Sequence, residues 1–97
     1  MNVMNNFILS SIKLDVFRYM KMLKYEINDS SLRKQIISIL DEYLNEYVDF
    51  GLINQYFIVC DATLNTPDLI DLGKLCVYVD LYFVDGSIQS LEWIYPN

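Results

Sequence analysis

Histidine is missing altogether from this chain of 97 residues. Its absence removes the commonest general base, the usual partner of a nucleophilic serine or cysteine, and the most frequent metal ligand. Only two cysteines occur, Cys60 and Cys76, and without a second pair they make no zinc-binding pattern. Among three glycines there is neither a dinucleotide-binding nor a Walker-type loop. Asp61, Asp68 and Asp71 lie close enough in sequence to suggest a cation site or an acid pair. Aspartate is more commonly a cap or turn residue. An enzyme is therefore not expected and no cofactor is implied. A metal-dependent hydrolase resting on these aspartates would require that Asp→Asn changes abolish its activity.

No apolar run approaches the roughly 18 residues of a membrane-spanning helix. The opening MNVMNNFILSSIK lacks the basic region and the long apolar run of a signal peptide. Cytoplasmic synthesis follows as the expectation, with Cys60 and Cys76 reduced and buried as small apolar residues rather than bridged. Basic residues are scarce, seven against thirteen acids for a net charge of −6, which argues against nucleic-acid binding. They are also unevenly placed. Residues 1–34 hold six of the seven basic groups against Asp15, Glu26 and Asp29, a net +3, whereas residues 35–97 set Lys74 against ten acids, a net −9. Solvated helix faces explain such a split, and head-to-tail packing of copies or a charged partner fits it too.

What the chain has in quantity is apolar surface. Apolar residues make up 54% and charged residues 21%, with eight Tyr, five Phe and one Trp. Disorder is excluded by that balance, and the length suits one domain over residues 1–97. A tyrosine-rich core with wet hydroxyls accounts for part of the aromatic content. The rest is available to a partner.

Periodicity predicts a first helix over about Asn5–Met20, with Ile8, Ile12, Val16 and Met20 four apart and Leu9 and Leu23 on the same side. Residues 22–27 fit either a continued helix or an extended run. A second helix follows a cap at Asp29 or Ser30, with Leu32, Ile36, Ile39, Leu40, Tyr43, Leu44, Tyr47 and Val48 facing inward, and Gly51 ends it after Phe50. A strand is predicted over Ile53–Cys60. Thr66, Pro67 and Asp68 read as N-cap, first helical proline and first-turn acid of a single turn ending near Gly73. A second strand spans Leu75–Val84, with Leu75, Val77, Val79, Leu81 and Phe83 on one face and Cys76, Tyr78, Asp80 and Tyr82 on the other. Asp85-Gly86 signals a two-residue turn into a closing strand, Ser87–Tyr95. The fold class is α+β, two helices packed on one face of a small, mostly antiparallel sheet.

Cys60-Asp61, Asn65-Thr66-Pro67 and Ile70-Asp71, followed by an apolar strand from Leu75, together resemble the C-terminal domain of contractile-tail sheath proteins. The run Tyr25-Glu26-Ile27-Asn28-Asp29 with Leu32-Arg33 is similar to the family's lead into its second helix. Ser87-Ile88 with Leu91 and Ile94 is similar to its closing strand. The resemblance covers most of residues 5–95 in order. It implies an extended segment at 22–27 and an inner, tube-facing domain of a phage tail, assembled in the host cytoplasm. Neighbouring subunits would be joined by exchanged strands that extend one another's sheet. Interface residues would be Ile88, Leu91, Trp93, Ile94 and Tyr95 on the closing strand, with Tyr56 and Ile58 on the opposite edge. Lys13, Arg18, Lys21 and Lys24 would face an acidic tube.

Departures from the pattern matter. Leu64 and Ile27 replace an Asn and a Pro, and a Pro before the closing strand is replaced by Asp85-Gly86, which folds that strand back onto its own sheet. The chain also begins almost at the first helix, which suits a minimal sheath protein or a small adaptor at baseplate or neck. Partners would be copies of itself or sheath, tube, baseplate or neck proteins. The competing reading from another class is a small acidic phage-encoded protein that binds and inhibits a host factor.

Overall fold

The computed structural model describes residues 2–96. In chain order the elements are α1 (Val3–Lys21), α2 (Ser30–Asp49), β1 (Ile53–Val59), α3 (Pro67–Asp71), β2 (Lys74–Phe83) and β3 (Ile88–Pro96). The strands form one antiparallel sheet in the order β1-β2-β3. Both long helices lie on one face, α1 over β3 and α2 over β1. No helix among the described residues is long and apolar enough to cross a membrane.

Local chemistry sets each boundary. The Asn2 side chain accepts the Asn5 N–H to start α1, and the Asp29 side chain accepts that of Leu32 to start α2. Each such cap contributes about 1 kcal/mol. Gly51 ends α2 at φ +72°. Its N–H donates to the Val48 carbonyl and the Leu52 N–H to that of Tyr47, the paired bonds of a Schellman cap.

The central strand carries the core. Leu75, Val77, Val79, Leu81 and Phe83 are all fully buried, facing Ile8, Ile12, Val16 and Met20 of α1 and Leu32, Ile36, Leu40 and Leu44 of α2. Burying each such side chain is worth about 1.5–3 kcal/mol, so the helical layer is held chiefly by β2. Tyr43 joins the helices by donating to the Asp15 carboxylate at 2.6 Å. The Asn5 amide, itself buried, donates to Asp85 at 2.8 Å and pins the start of α1 to the β2–β3 connection.

Three local expectations change. Residues 22–25 form turns rather than an extended run, with the Leu23 N–H on the Met20 carbonyl and the Glu26 N–H on that of Leu23. Leu23 stays buried because these turns fold it back under α1. Ile39 belongs to the apolar stripe of α2 but remains partly exposed at its edge. The Asp85-Gly86 connection has a three-residue loop, Val84–Gly86. A two-residue type I′ turn would need positive φ at Asp85, and among the described residues only glycines adopt it. Instead the Gly86 N–H closes on the Phe83 carbonyl, Gly86 takes φ +89°, and the Phe83 N–H bonds Ser87. The result for the strand is the same: β3 returns onto β2 with Val79 opposite Leu91.

A Cβ added at Gly51 meets no atom within 4 Å, so replacement by alanine exposes backbone strain alone. Gly51→Ala is expected to lower stability by about 1 kcal/mol, read from the urea midpoint. Asp85 supplies a pH dependence. Ser87, through its hydroxyl and N–H, and then Asn5 hold its carboxyl below the usual 3.8. Because the folded value is the lower one, this stabilisation is complete above about pH 4 and fades as pH falls through the folded value. Acid titration of Asp85→Asn followed by circular dichroism should show a shallower loss than the parent.

Candidate functional site: the β1–β2 link and the surfaces around the sheet

β1 ends at Val59, opposite Tyr78, and so leaves the first residues of β2 without a backbone partner on that side. The side chain of Asn65 supplies one. Its Oδ1 accepts the Cys76 N–H at 2.8 Å and its Nδ2 donates to the Cys76 carbonyl at 2.9 Å. The amide thereby continues the ladder as a strand residue would. Its remaining capacity is filled by Asn28 Nδ2 at 3.0 Å and the Asp61 carbonyl at 3.1 Å. Asn28 donates as well to the Lys74 carbonyl at 2.9 Å and receives Arg33 at 2.8 Å. This buried network ties the lead into α2, the link and β2 together. Asn28 was not assigned a role from sequence. Its place beside the Asp29 cap, in the run shared with Arg33, is the signal that marks it.

Of the flagged aspartates, Asp61 and Asp68 have places in the fold. Asp61 accepts the Thr63 hydroxyl at 2.6 Å and the Leu64 N–H at 3.0 Å, which lower its carboxyl below the usual range. Thr66 caps α3 by accepting the Leu69 N–H, Pro67 opens the helix, and Asp68 stands in its first turn. Ile70 is half-buried, whereas Asp71 is exposed. Among the described residues no group of acids and cysteines is arranged to hold a metal ion. Cys60 and Cys76 are free and buried, and burial pushes both thiols up to about 11.

The residues expected at interfaces divide between the two faces of the sheet. Tyr56 and Ile58 of β1 pair with Leu81 and Val79 on the helix side, and Tyr56 donates to the Asp41 carboxylate of α2 at 2.6 Å. On β3, Leu91 is buried toward the helices. Trp93 Nε1 donates to the Lys13 carbonyl at 3.2 Å, and Tyr95 packs edge-to-face on Phe17 at 5.4 Å. Both aromatics therefore fasten β3 to α1 within the chain. Ile88 and Ile94 sit on the helix-free face, where both are exposed. Phe57 joins them there, edge-to-face with Tyr82 at 5.7 Å. The outer edges of β1 and β3 have no strand beside them among the described residues.

Arg18 and Lys21 are exposed in the last turn of α1, where cations complement the helix dipole. Lys13 borders a groove between α1 and β3, and Lys24 extends over the Tyr25 ring. A second, outward apolar side of α1 (Val3, Phe7, Leu14 and Phe17) escaped the sequence reading, which followed only the inward stripe.

With this geometry in place, similarity to known proteins becomes specific. The tail sheath protein of Enterobacteria phage T4 is 27% identical to this chain over 90 residues. That match takes in 93% of this chain, but the chain spans only 13% of the length of the curated relative. No family model and no solved structure matches.

If Asn65 completes the ladder of β2, Asn65→Leu strands the Cys76 N–H and carbonyl without partners. A loss of about 2–3 kcal/mol is expected, read by thermal melting. Cys76 should then react with a thiol reagent at pH 8 faster than in the parent, where the buried thiol stays protonated.

Proposed function

We propose that this chain is a structural component of a contractile phage tail, built on the inner, tube-facing C-terminal domain of sheath proteins. The observation that carries this reading is the similarity to the T4 tail sheath protein along nearly the whole chain. The link residues expected from the family pattern support it, because here they perform a coherent mechanical task. Asp61, Asn65 and Thr66 lock the connection between β1 and β2 by side-chain bonds. A locked connection presents its sheet edges at little further ordering cost when a neighbour docks.

In this role the chain acts by binding, as a minimal sheath protein or as an adaptor that starts or ends a sheath, and not as an enzyme. Its partners are other copies of itself or other tail components. The outer edge of β1 and the exposed residues Ile88 and Ile94 offer contact surface, by backbone pairing at the edge and apolar burial on the face. Lys13, Arg18 and Lys21 on α1, with Lys24 in the turns just after it, present positive charge on an otherwise acidic molecule, suited to an acidic tube surface. Assembly takes place in the host cytoplasm and the product resides in the virion tail.

The test is incorporation. An epitope-tagged chain expressed during infection should co-purify with intact tails in defined stoichiometry. The double variant Lys21→Glu, Lys24→Glu changes only exposed side chains and should reduce incorporation at least tenfold. Tails that lack the tagged parent, or that take up the charge-reversed variant equally well, would overturn the reading.

A further inference from the structure

The outward side of α1 repeats an apolar pattern that nothing among the described residues covers. Val3, Phe7, Ser10, Leu14 and Phe17 follow the four-three spacing of a helix-pairing seam. Their large members are exposed at 72% for Val3, 67% for Phe7, 47% for Leu14 and 42% for Phe17. Two open grooves lie along this seam and meet at Ser10. One is bounded by Val3, Asn6 and Phe7, the other by Lys13, Leu14, Phe17 and Trp93.

We infer that the seam binds a second copy of this chain, with the two α1 helices packed antiparallel about a two-fold axis at Ser10. The four-three pattern reads nearly the same in both directions from Ser10, so it is self-complementary in that arrangement. Val3 falls opposite Phe17 of the partner subunit, and Phe7 opposite Leu14 of the partner subunit. Each copy thus places its N-terminal apolar side chains in the C-terminal groove of the other, the reciprocity that a two-fold interface demands. The small Ser10 at the axis lets the helices approach closely.

Charge selects the same orientation. Residues 2–12 carry no charged side chain, while Lys13, Arg18 and Lys21 lie in the C-terminal half of α1. Parallel pairing would set Lys13 beside Arg18 of the partner subunit, like charges at flanking positions of the seam. Antiparallel pairing sets the basic half of each helix against the uncharged half of the other.

The area sets the strength. Each copy offers on the order of 400 Å² of apolar surface, taking about 200 Å² for a large side chain. Twice that lies below the size of permanent interfaces and within the range of transient ones. The dimer is therefore concentration-dependent. It goes beyond the tail reading and does not rest on it, since incorporation into tails and self-association of the free chain are measured separately.

Sedimentation equilibrium of the purified chain from about 5 to 500 μM tests the inference. The expected result is a mass rising from 11.4 kDa to twice that value. Phe7→Glu and Ser10→Glu, both on the exposed seam, should each raise the midpoint at least tenfold with an unchanged circular dichroism spectrum. Under mild oxidation Ser10→Cys should cross-link to itself far faster than Lys21→Cys, because only position 10 meets its own copy at the axis. A monomer throughout the range would overturn the inference. So would open-ended growth, a dimer that survives both glutamates, or equal cross-linking at the two positions.

Discussion

A single side-chain amide decides whether the central strand can exist at its full length. β2 is a ten-residue strand and β1 a seven-residue one, so backbone groups at the start of β2 extend beyond the end of their neighbour. Left bare and buried, the Cys76 N–H and carbonyl would each cost about 1–3 kcal/mol. Asn65 meets both at once, in the geometry of a strand residue. The rest of the molecule follows from β2 standing there. Its inward side chains hold both helices, its far end turns into β3, and its near end receives the Asn28 bond that places α2.

The long link between β1 and β2 is intelligible on the same grounds. A tight hairpin would end both strands together and leave no chain to carry an asparagine back to Cys76. The link must fold away from the sheet, return its amide to the ladder, and then reach Lys74 from a new direction. Asp61 organises the first bend and Thr66, with Pro67, starts the short helix that makes the second. Asp61, which looked like chemistry, is an instrument of this path, its carboxylate engaged by the Thr63 hydroxyl and the Leu64 N–H.

Much of this was legible in the sequence, for reasons particular to certain residues. The four-residue spacing of Ile8, Ile12, Val16 and Met20 and the alternation from Leu75 to Phe83 are long and uninterrupted, so helix and strand could be assigned from pattern. Thr66-Pro67-Asp68 encodes its helix start by cap chemistry alone. Residues 22–27 were less legible. MLKYEI suits helix, turn or strand, and the turns there depend on carbonyls offered by the end of α1. The Asn28–Asn65 pair was hidden because it joins residues 37 apart, and local pattern carries no such pairing. Phe7 and Leu14 escaped because one helix face was read as the whole apolar message. Trp93 and Tyr95 were marked as anchors for a partner, whereas the α1 backbone and ring of Phe17 lie within their reach in the chain itself.

The connection at Gly86 settles how the surfaces divide. Because β3 folds back through the Val84–Gly86 loop, it occupies one side of β2 and places Trp93 and Tyr95 under α1. The open edges are then β1, beside α2, and β3, beside the outward flank of α1. These two sides differ in character. Beside β1, Tyr56 and Asp41 form a polar margin on an acidic helix, which disfavours apolar burial. Beside β3, an uncharged and then basic helix shows phenylalanine and leucine to solvent, which favours it. A chain with 54% apolar residues and so few charges on α1 cannot hide all its apolar surface in one modest core. The surplus is left at several places, most densely along the outward flank of α1 and again on the helix-free face of the sheet at Phe57, Ile88 and Ile94.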